Sequence, residues 1–386
     1  MIIGPGVAPE SDAGVLSLLG YDPVRDSPGR GVLEALGAEL PLAVGDVAFR
    51  LNFATVDGDG TIRDSRVGRN LTTGEATALA KSITAADLLA PERIRAEVRS
   101  TVGHRGVLWL HPTDGSPLSG EVSNSDPFYD RTGGLGQARH VEEPRLREVL
   151  PLNSDPRAER TARATNLFLQ RVAPLLAGHS VNARRALAGK KVGNAVLLRN
   201  AGVLPDPPPA SFSSRYGRAG SAITEMPVER GIARLFGLKD RFVGPMGPEV
   251  DASLADRARA TTEALAEDPF VYVHLKGPDE PGHDGDAVRK AGVIEALDRS
   301  FFGPFLTGID PGSLRIAVTA DHATPASLKG HSDDPVPLLF WGSGVRASGR
   351  AVKFCERSCA TGPLGLRSAR EVLALLFGPA VPPPSP

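Results

Sequence analysis

Apolar positions recur along this chain with two periods, and the switch between them divides it into regions. Val15, Leu16, Leu18 and Leu19 follow Ser11-Asp12 with helical spacing. A helix is expected there, with Ser11-Asp12 as its N-cap and Gly20 at its end. A second helix is expected over 31–40. Over 46–56, Val47, Phe49, Leu51 and Phe53 alternate with other residues, the period of a strand. Asp57-Gly58-Asp59-Gly60 then makes a tight turn into a return strand at 61–64. Helical spacing resumes over 73–89 and 158–173, with a strand at 106–110. Between them, 113–143 is polar, rich in glycine and aperiodic, as functional loops often are.

Further on, the texture becomes that of an α/β protein. A short apolar strand at 196–199 is followed by a helix over 255–267. The run 269–275 is continuously apolar, the mark of a strand covered on both faces. A helix over 286–301, strands of the same buried type at 314–319 and 337–341, and a helix over 371–376 complete the order. Strands alternating with helices predict an α/β fold with a mostly parallel sheet and ligands at the strands' carboxyl ends. The proline-rich tail 381–386 is expected to be disordered.

Charge and cysteine usage narrow the class. Lys and Arg number 44 against 45 Asp and Glu, a balance that excludes nucleic-acid binding through a broad basic face. Cys355 and Cys359 are the only cysteines and build no disulfide framework, which points to a reducing cytoplasm. No apolar run approaches the ~20 residues of a membrane helix. The first residues lack the basic and apolar regions of a signal peptide. A soluble cytoplasmic enzyme is expected.

Three clusters carry candidate chemistry. The first, after the strand 269–275, reads His274-Leu275-Lys276-Gly277-Pro278-Asp279-Glu280-Pro281-Gly282-His283-Asp284. The second, Asp321-His322-Ala323-Thr324, follows the strand 314–319, and the third is His331. Four of the eight histidines (His274, His283, His322 and His331) thus lie within 58 residues, three of them joining carboxylates at strand ends. A divalent cation such as Mn2+ or Zn2+ takes this mixture of carboxylate and imidazole. Asp279 and His283 are four apart, so a tight loop can aim both at one ion. Two such ions ~3.5–4 Å apart would clamp a phosphoryl group.

The first cluster resembles the metal loop of the archaeal-type, 2,3-bisphosphoglycerate-independent phosphoglycerate mutases of the alkaline phosphatase superfamily. Gly6-Val7-Ala8-Pro9-Glu10-Ser11-Asp12, through Leu18-Leu19-Gly20-Tyr21-Asp22-Pro23, resembles the nucleophile helix of that family. Gly45-Asp46-Val47-Ala48-Phe49-Arg50 and Gly193-Asn194-Ala195-Val196 are similar to two further blocks. The resemblance implies an alkaline-phosphatase-like core, here 1–44 and 180–386, interrupted by an α+β cap or substrate domain at 45–179. It implies Ser11 as the nucleophile that takes the phosphoryl group. Asp279, His283 and His331 would hold one divalent ion, and Asp321, His322 and Ser11 the other; Mn2+, Zn2+ and Mg2+ are all open. A helix N-terminus favours phosphate, and a metal lowers a hydroxyl's pKa. Arg50, Arg66, Arg69, His104, Arg105 and Lys276 are candidate contacts for the phosphate and carboxylate of a small phosphorylated acid.

Relative to the family, an opening strand and an aspartate that holds the serine's metal are expected to be missing, because Met1 stands ten residues before Ser11. The sheet would then show an unpaired edge and one ion would be poorly held. Either the true start lies upstream, the preferred explanation, or the protein is a diverged member. The leading function is a glycolytic mutase interconverting 2- and 3-phosphoglycerate through a phosphoserine. One alternative is a member of phosphonate antibiotic biosynthesis, a group labelled phosphonopyruvate decarboxylase or related. Thiamine diphosphate is not expected, because Gly58-Asp59-Gly60 lacks the asparagine that its signature needs. A second alternative is an inactive remnant.

Overall fold

The computed structural model describes residues 8–132, 135–346 and 353–378; the tail 381–386 and the opening residues lie outside them. The described chain is a mixed α/β protein of two compact units. One comprises residues 27–210 and 230–235, the other 1–26, 211–229 and 236–386.

The first unit contains β1 (Val47–Val56), β2 (Ile62–Asp64), β3 (Ile94–Ser100) and β4 (Arg105–Pro112). A separate hairpin, β5 (Tyr129–Thr132) and β6 (Leu135–Ala138), and then β7 (Ala195–Gly202) complete its strands. β1 is the spine. It pairs antiparallel with β4 and β7 and, at its end, with β2, while β3 lies outside β4. The expected alternation is present: Val47, Phe49, Leu51 and Phe53 are fully buried. They share a core with Leu79 and Ile83 of the helix Thr73–Ala85 and with Phe168 and Leu176 of the helix Pro156–Ala177. The other face is buried as well, because Val32 and Ala35 of the helix Arg30–Gly37 pack with Ala48. Arg50 and Asn52 are thereby enclosed, where alternation alone predicts a solvated face.

Two expectations need correction here. Residues 196–199, expected in the parallel core, belong to β7, which pairs antiparallel with β1 from Ala54↔Ala195 to Ala48↔Gly202. By compactness the chain separates at 26/27 and 210/211, with 230–235 joining the first unit. The polar stretch 113–143 is also more than a loop. Its Ser125 and Asp126 N–H groups donate to the Leu198 carbonyl at 2.9 and 3.2 Å, so it runs beside β7.

The second unit holds β8 (Ser221–Thr224), β9 (Lys239–Phe242) and β10 (Val271–Val273), parallel in the order β10-β8-β9. β11 (Arg315–Thr319) and β12 (Leu338–Gly342) form a separate antiparallel pair. The expected mostly parallel sheet is thus two sheets, one of them antiparallel. No helix lies between β11 and β12 to make the crossover that a parallel pair requires. β10 and β11, expected to be buried on both faces, are half-buried throughout. Residues 269–279 and 313–325 line a largely apolar cavity of about 1550 Å3. Behind them the helix Val250–Glu267 packs Leu254 and Ala258 against Phe301 and Phe305.

β1 has partners on both sides, whereas β10 and β11 each have one among the described residues. Amide exchange should therefore be slowest over 47–56 and faster over 271–273 and 315–319. Mass-spectrometric hydrogen exchange on peptides covering these strands checks the order.

Candidate active site

The site lies within the second unit, where the segments after β10 and β11 meet the start of the helix Ser11–Leu18. Ser11 is not the cap of that helix, as expected, but its first residue; Glu10 precedes it in extended conformation. The hydroxyl is therefore released from capping. Its Oγ lies 3.2 Å from His322 Nε2, and Ser11 is among the groups that lower the Asp321 carboxyl. Gly14 makes this approach possible, since a Cβ there would run into the carbonyl and side chain of Asp321.

After β10 the chain forms the short helix Asp279–Asp284, which sets Asp279 and His283 one turn apart. His331 arrives from the loop beyond β11. His283 Nε2 and His331 Nε2 are 3.2 Å apart, and each is 3.4 Å from Asp279 Oδ1. A tetrahedral ion with bonds of 2.0–2.1 Å would space its ligands about 3.3 Å apart, so the triangle fits one. The rings are also turned correctly. His283 Nδ1 donates to the Lys329 carbonyl at 3.2 Å and His331 Nδ1 to the Pro9 carbonyl at 2.8 Å. Carbonyls only accept, so in the neutral rings both Nε2 atoms face each other as bare lone pairs.

His322 is fixed by the same logic through Thr324, a residue the sequence reading left without a role. Thr324 Oγ1 donates its one proton to Asp279 Oδ1 at 2.7 Å and lies 3.1 Å from His322 Nδ1. It therefore accepts from Nδ1, which leaves His322 Nε2 bare towards Ser11. Burial pushes the His322 pKa down, keeping the ring neutral. The His322 ring stacks on His331 with centroids 3.8 Å apart, so the two carboxylate–imidazole groups adjoin.

The charges agree with this arrangement. Burial alone would raise Asp279, but its neighbours His331 and Thr324 hold its carboxyl well below the usual range, the former as its ring takes up a proton. Burial would lower His331, but Asp279 outweighs it and raises its pKa. Asp321 is likewise lowered against its burial by His274, His322, Lys276 and Ser11. The Lys276 ammonium, expected to reach phosphate, pairs with buried Glu229 at 2.8 Å. Glu229 is held well below the usual carboxylate range despite its burial, chiefly by Lys276.

The remaining predicted residues lie in the first unit. Arg50 is buried and 3.3 Å from Glu34, opposite Arg199 in the β1–β7 register. Burial and the Arg30 charge push the Arg50 pKa down to about 9. Burial, together with Arg105, Arg66, Arg50 and Arg199, pushes His104 down to about 3. Arg69 is exposed in the turn Val67–Arg69. Arg30 and Arg199 were missed, although an arginine inside the apolar run Ala195-Val196-Leu197-Leu198-Arg199 is itself a signal. Arg199 donates to Asp126 at 2.5 Å and sits 4.0 Å over the Tyr129 ring.

Known proteins resemble this chain along most of its length. A family described as 2,3-bisphosphoglycerate-independent phosphoglycerate mutase matches residues 1–182. The mutase of that name from Aeropyrum pernix is 44% identical, covering 97% of this chain and 90% of that protein. The one from Methanopyrus kandleri is 38% identical over 97% and 84%. Among solved structures, the PH0037 protein from Pyrococcus horikoshii has a TM-score of 0.76 at 27% identity, covering 97% of this chain and 84% of that one. A cofactor-independent phosphoglycerate mutase from Thermoplasma acidophilum has a TM-score of 0.59 at 30% identity, over 96% and 86%.

Two outcomes follow. Gly14→Ala should cost about 1–3 kcal/mol in denaturant unfolding, because the Asp321 turn must move to admit a methyl group. Because the pKa of His331 is raised, a cation bound by Asp279, His283 and His331 displaces a proton. Calorimetry in buffers of differing ionisation enthalpy should show proton release near neutrality. Affinity should fall about tenfold per pH unit once the pH drops below the raised value.

Proposed function

Because this chain belongs to the family of 2,3-bisphosphoglycerate-independent phosphoglycerate mutases, we propose that it interconverts 2- and 3-phosphoglycerate through a phosphoserine on Ser11. The observation that carries this reading is the Ser11 hydroxyl, freed from capping and set 3.2 Å from the bare Nε2 of His322. A hydroxyl needs such company to become a nucleophile. The mutase relatives lend nothing to the phosphonate or remnant alternatives. Among the described residues no helix is long and apolar enough to cross a membrane.

In this reading the second unit is the alkaline-phosphatase-like core and the first is the substrate domain. Ser11 Oγ bonds to phosphorus as the substrate's ester oxygen leaves and takes up a proton. The serine's own proton is given up in exchange. The neighbouring hydroxyl of the glycerate then attacks the phosphoserine, and both exchanges reverse. Asp279, His283 and His331 would hold one divalent cation, and Ser11, Asp321 and His322 another; both donor sets suit such ions, and Mn2+ is the first to test. Bound there, the ions would acidify the serine hydroxyl and offset the charge of the phosphoryl group. Arg50, Arg66, His104 and Arg105, joined by Arg30 and Arg199, supply polar and cationic groups for the phosphate and carboxylate of a small phosphorylated acid. Arg69 and Lys276 are further candidate contacts, Lys276 while pairing with Glu229.

Incubation with 3-phosphoglycerate, Mn2+ and enolase should yield phosphoenolpyruvate, seen as absorbance at 240 nm. Ser11→Ala should lower turnover by roughly three orders of magnitude or more while leaving cation binding at Asp279 in place. Equal rates for the two proteins would refute the phosphoserine.

A further inference from the structure

In the first unit, a buried guanidinium is held by two groups that the proposed mechanism has not used. Arg199 lies on β7 with its side chain almost fully enclosed. Arg50 stands directly across the β1–β7 register, and the Arg199 charge also acts on Glu34, Arg105 and His104. Like charges placed opposite one another in a sheet repel. Arginine is rich in rotamers, so a side chain in this position swings away from its neighbours unless something prevents it.

What prevents it is the segment 124–129. Asp126 Oδ2 accepts from Arg199 Nη1 at 2.5 Å, and the guanidinium lies over the Tyr129 ring, 4.0 Å from its centroid. The two contacts are complementary. The ring face sets the plane of the guanidinium, and the carboxylate sets its rotation within that plane. The segment is itself fastened to β7. Asn124 Oδ1 accepts from the Asn200 N–H at 3.0 Å, and Asn124 Nδ2 donates to the Tyr129 carbonyl at 3.0 Å. The Phe128 carbonyl accepts from the Arg139 N–H at 2.8 Å, closing the base of the β5–β6 hairpin. A second carboxylate could hold the fork as firmly, but it would also cancel the charge. An aromatic face orients a cation through its quadrupole and leaves that charge for an incoming anion.

We propose that Tyr129 is a positioning residue, whose ring holds the Arg199 fork in the orientation that receives an anionic group of the phosphoglycerate. This rests on the reading of a phosphoglycerate mutase and deepens it by a residue that acts through Arg199. A fork set in advance loses less freedom when the anion arrives, so its contribution appears as affinity.

Steady-state kinetics of the whole protein with Mn2+ and enolase, together with calorimetric titration of sulfate, test this. Tyr129→Leu should raise KM for 3-phosphoglycerate roughly tenfold and leave kcat within about twofold, the pattern of binding shared by ground and transition states. It should weaken sulfate by a similar factor. Tyr129→Phe, which keeps the ring face, should restore both constants to within about twofold. Arg199→Lys keeps the charge, loses the planar fork and should raise KM at least as much as Tyr129→Leu. Adding Tyr129→Leu to Arg199→Lys should raise KM by no more than about twofold further, because no fork remains to be held. Tyr129→Met serves if Leu does not fold. With an active wild type, unchanged KM and sulfate affinity in Tyr129→Leu, or its full effect persisting in the double variant, would overturn the assignment alone. A wild type without turnover would overturn the mutase reading, and equal sulfate affinities in wild type and Tyr129→Leu would then overturn the assignment as well.

Discussion

A neutral imidazole offers a bare nitrogen to a cation or a hydroxyl only if its other nitrogen disposes of the ring proton elsewhere. The site depends on where those protons go. His283 and His331 give theirs to the carbonyls of Lys329 and Pro9, and His322 gives its own to Thr324. Thr324 in turn spends its proton on Asp279 and so has only lone pairs left for His322. Three rings are set by groups outside the ligand set, and two of those groups are backbone. Side-chain substitution cannot remove the backbone acceptors, but displacing Pro9 or Lys329 would release a ring.

Backbone placement is therefore the next requirement, and glycine supplies it. Ser11 and His322 are 311 positions apart, yet their side chains meet because the first turn of the serine helix lies directly on the Asp321 peptide. Gly14 leaves no side chain between them. Gly282 does the same for the short helix that carries His283, where a Cβ would meet the Thr324 carbonyl at 2.5 Å. Both contacts converge on the 321–324 segment, which fixes the serine helix and the metal-loop helix against a common edge. Close packing of this kind transmits any added volume straight into the position of a nucleophile.

The ligand candidates were legible because their chemistry is local. Asp279 and His283 lie within one helical turn, and Asp321 and His322 are adjacent, so residue type and spacing sufficed. Thr324 was quoted in the same motif, but its role depends on which proton goes where, and spacing carries no such information. Tyr129 fell in the aperiodic stretch 113–143, and the arginine it stacks on comes from a different element. The strongly periodic segments were also legible: β1, the helix Pro156–Ala177 and the helix Thr73–Ala85 lie where the pattern puts them. Short polar strands such as Lys239–Phe242 were not, since four residues hold barely one period. The direction of β12 and the pairing of β7 are long-range facts. Only the missing crossover helix hinted at the first.

The first unit poses the opposite electrostatic problem. Arg30, Arg50, Arg66, Arg105 and Arg199 act on one another and on His104, and Glu34 and Asp126 are the carboxylates named with them. Five guanidiniums against two carboxylates leave an excess of three positive charges in that set. Two, Arg50 and Arg199, are on buried strand residues. Apolar residues of similar volume would fill the same space with less desolvation, so stability does not account for the cluster. The depressed Arg50 and His104 record the strain: each added positive charge resists the next. An anion relieves it. A phosphate of about −1.5 to −2 and a carboxylate of −1 together nearly match the excess. On the proposed reading, the substrate's charge is the term that this buried arrangement lacks.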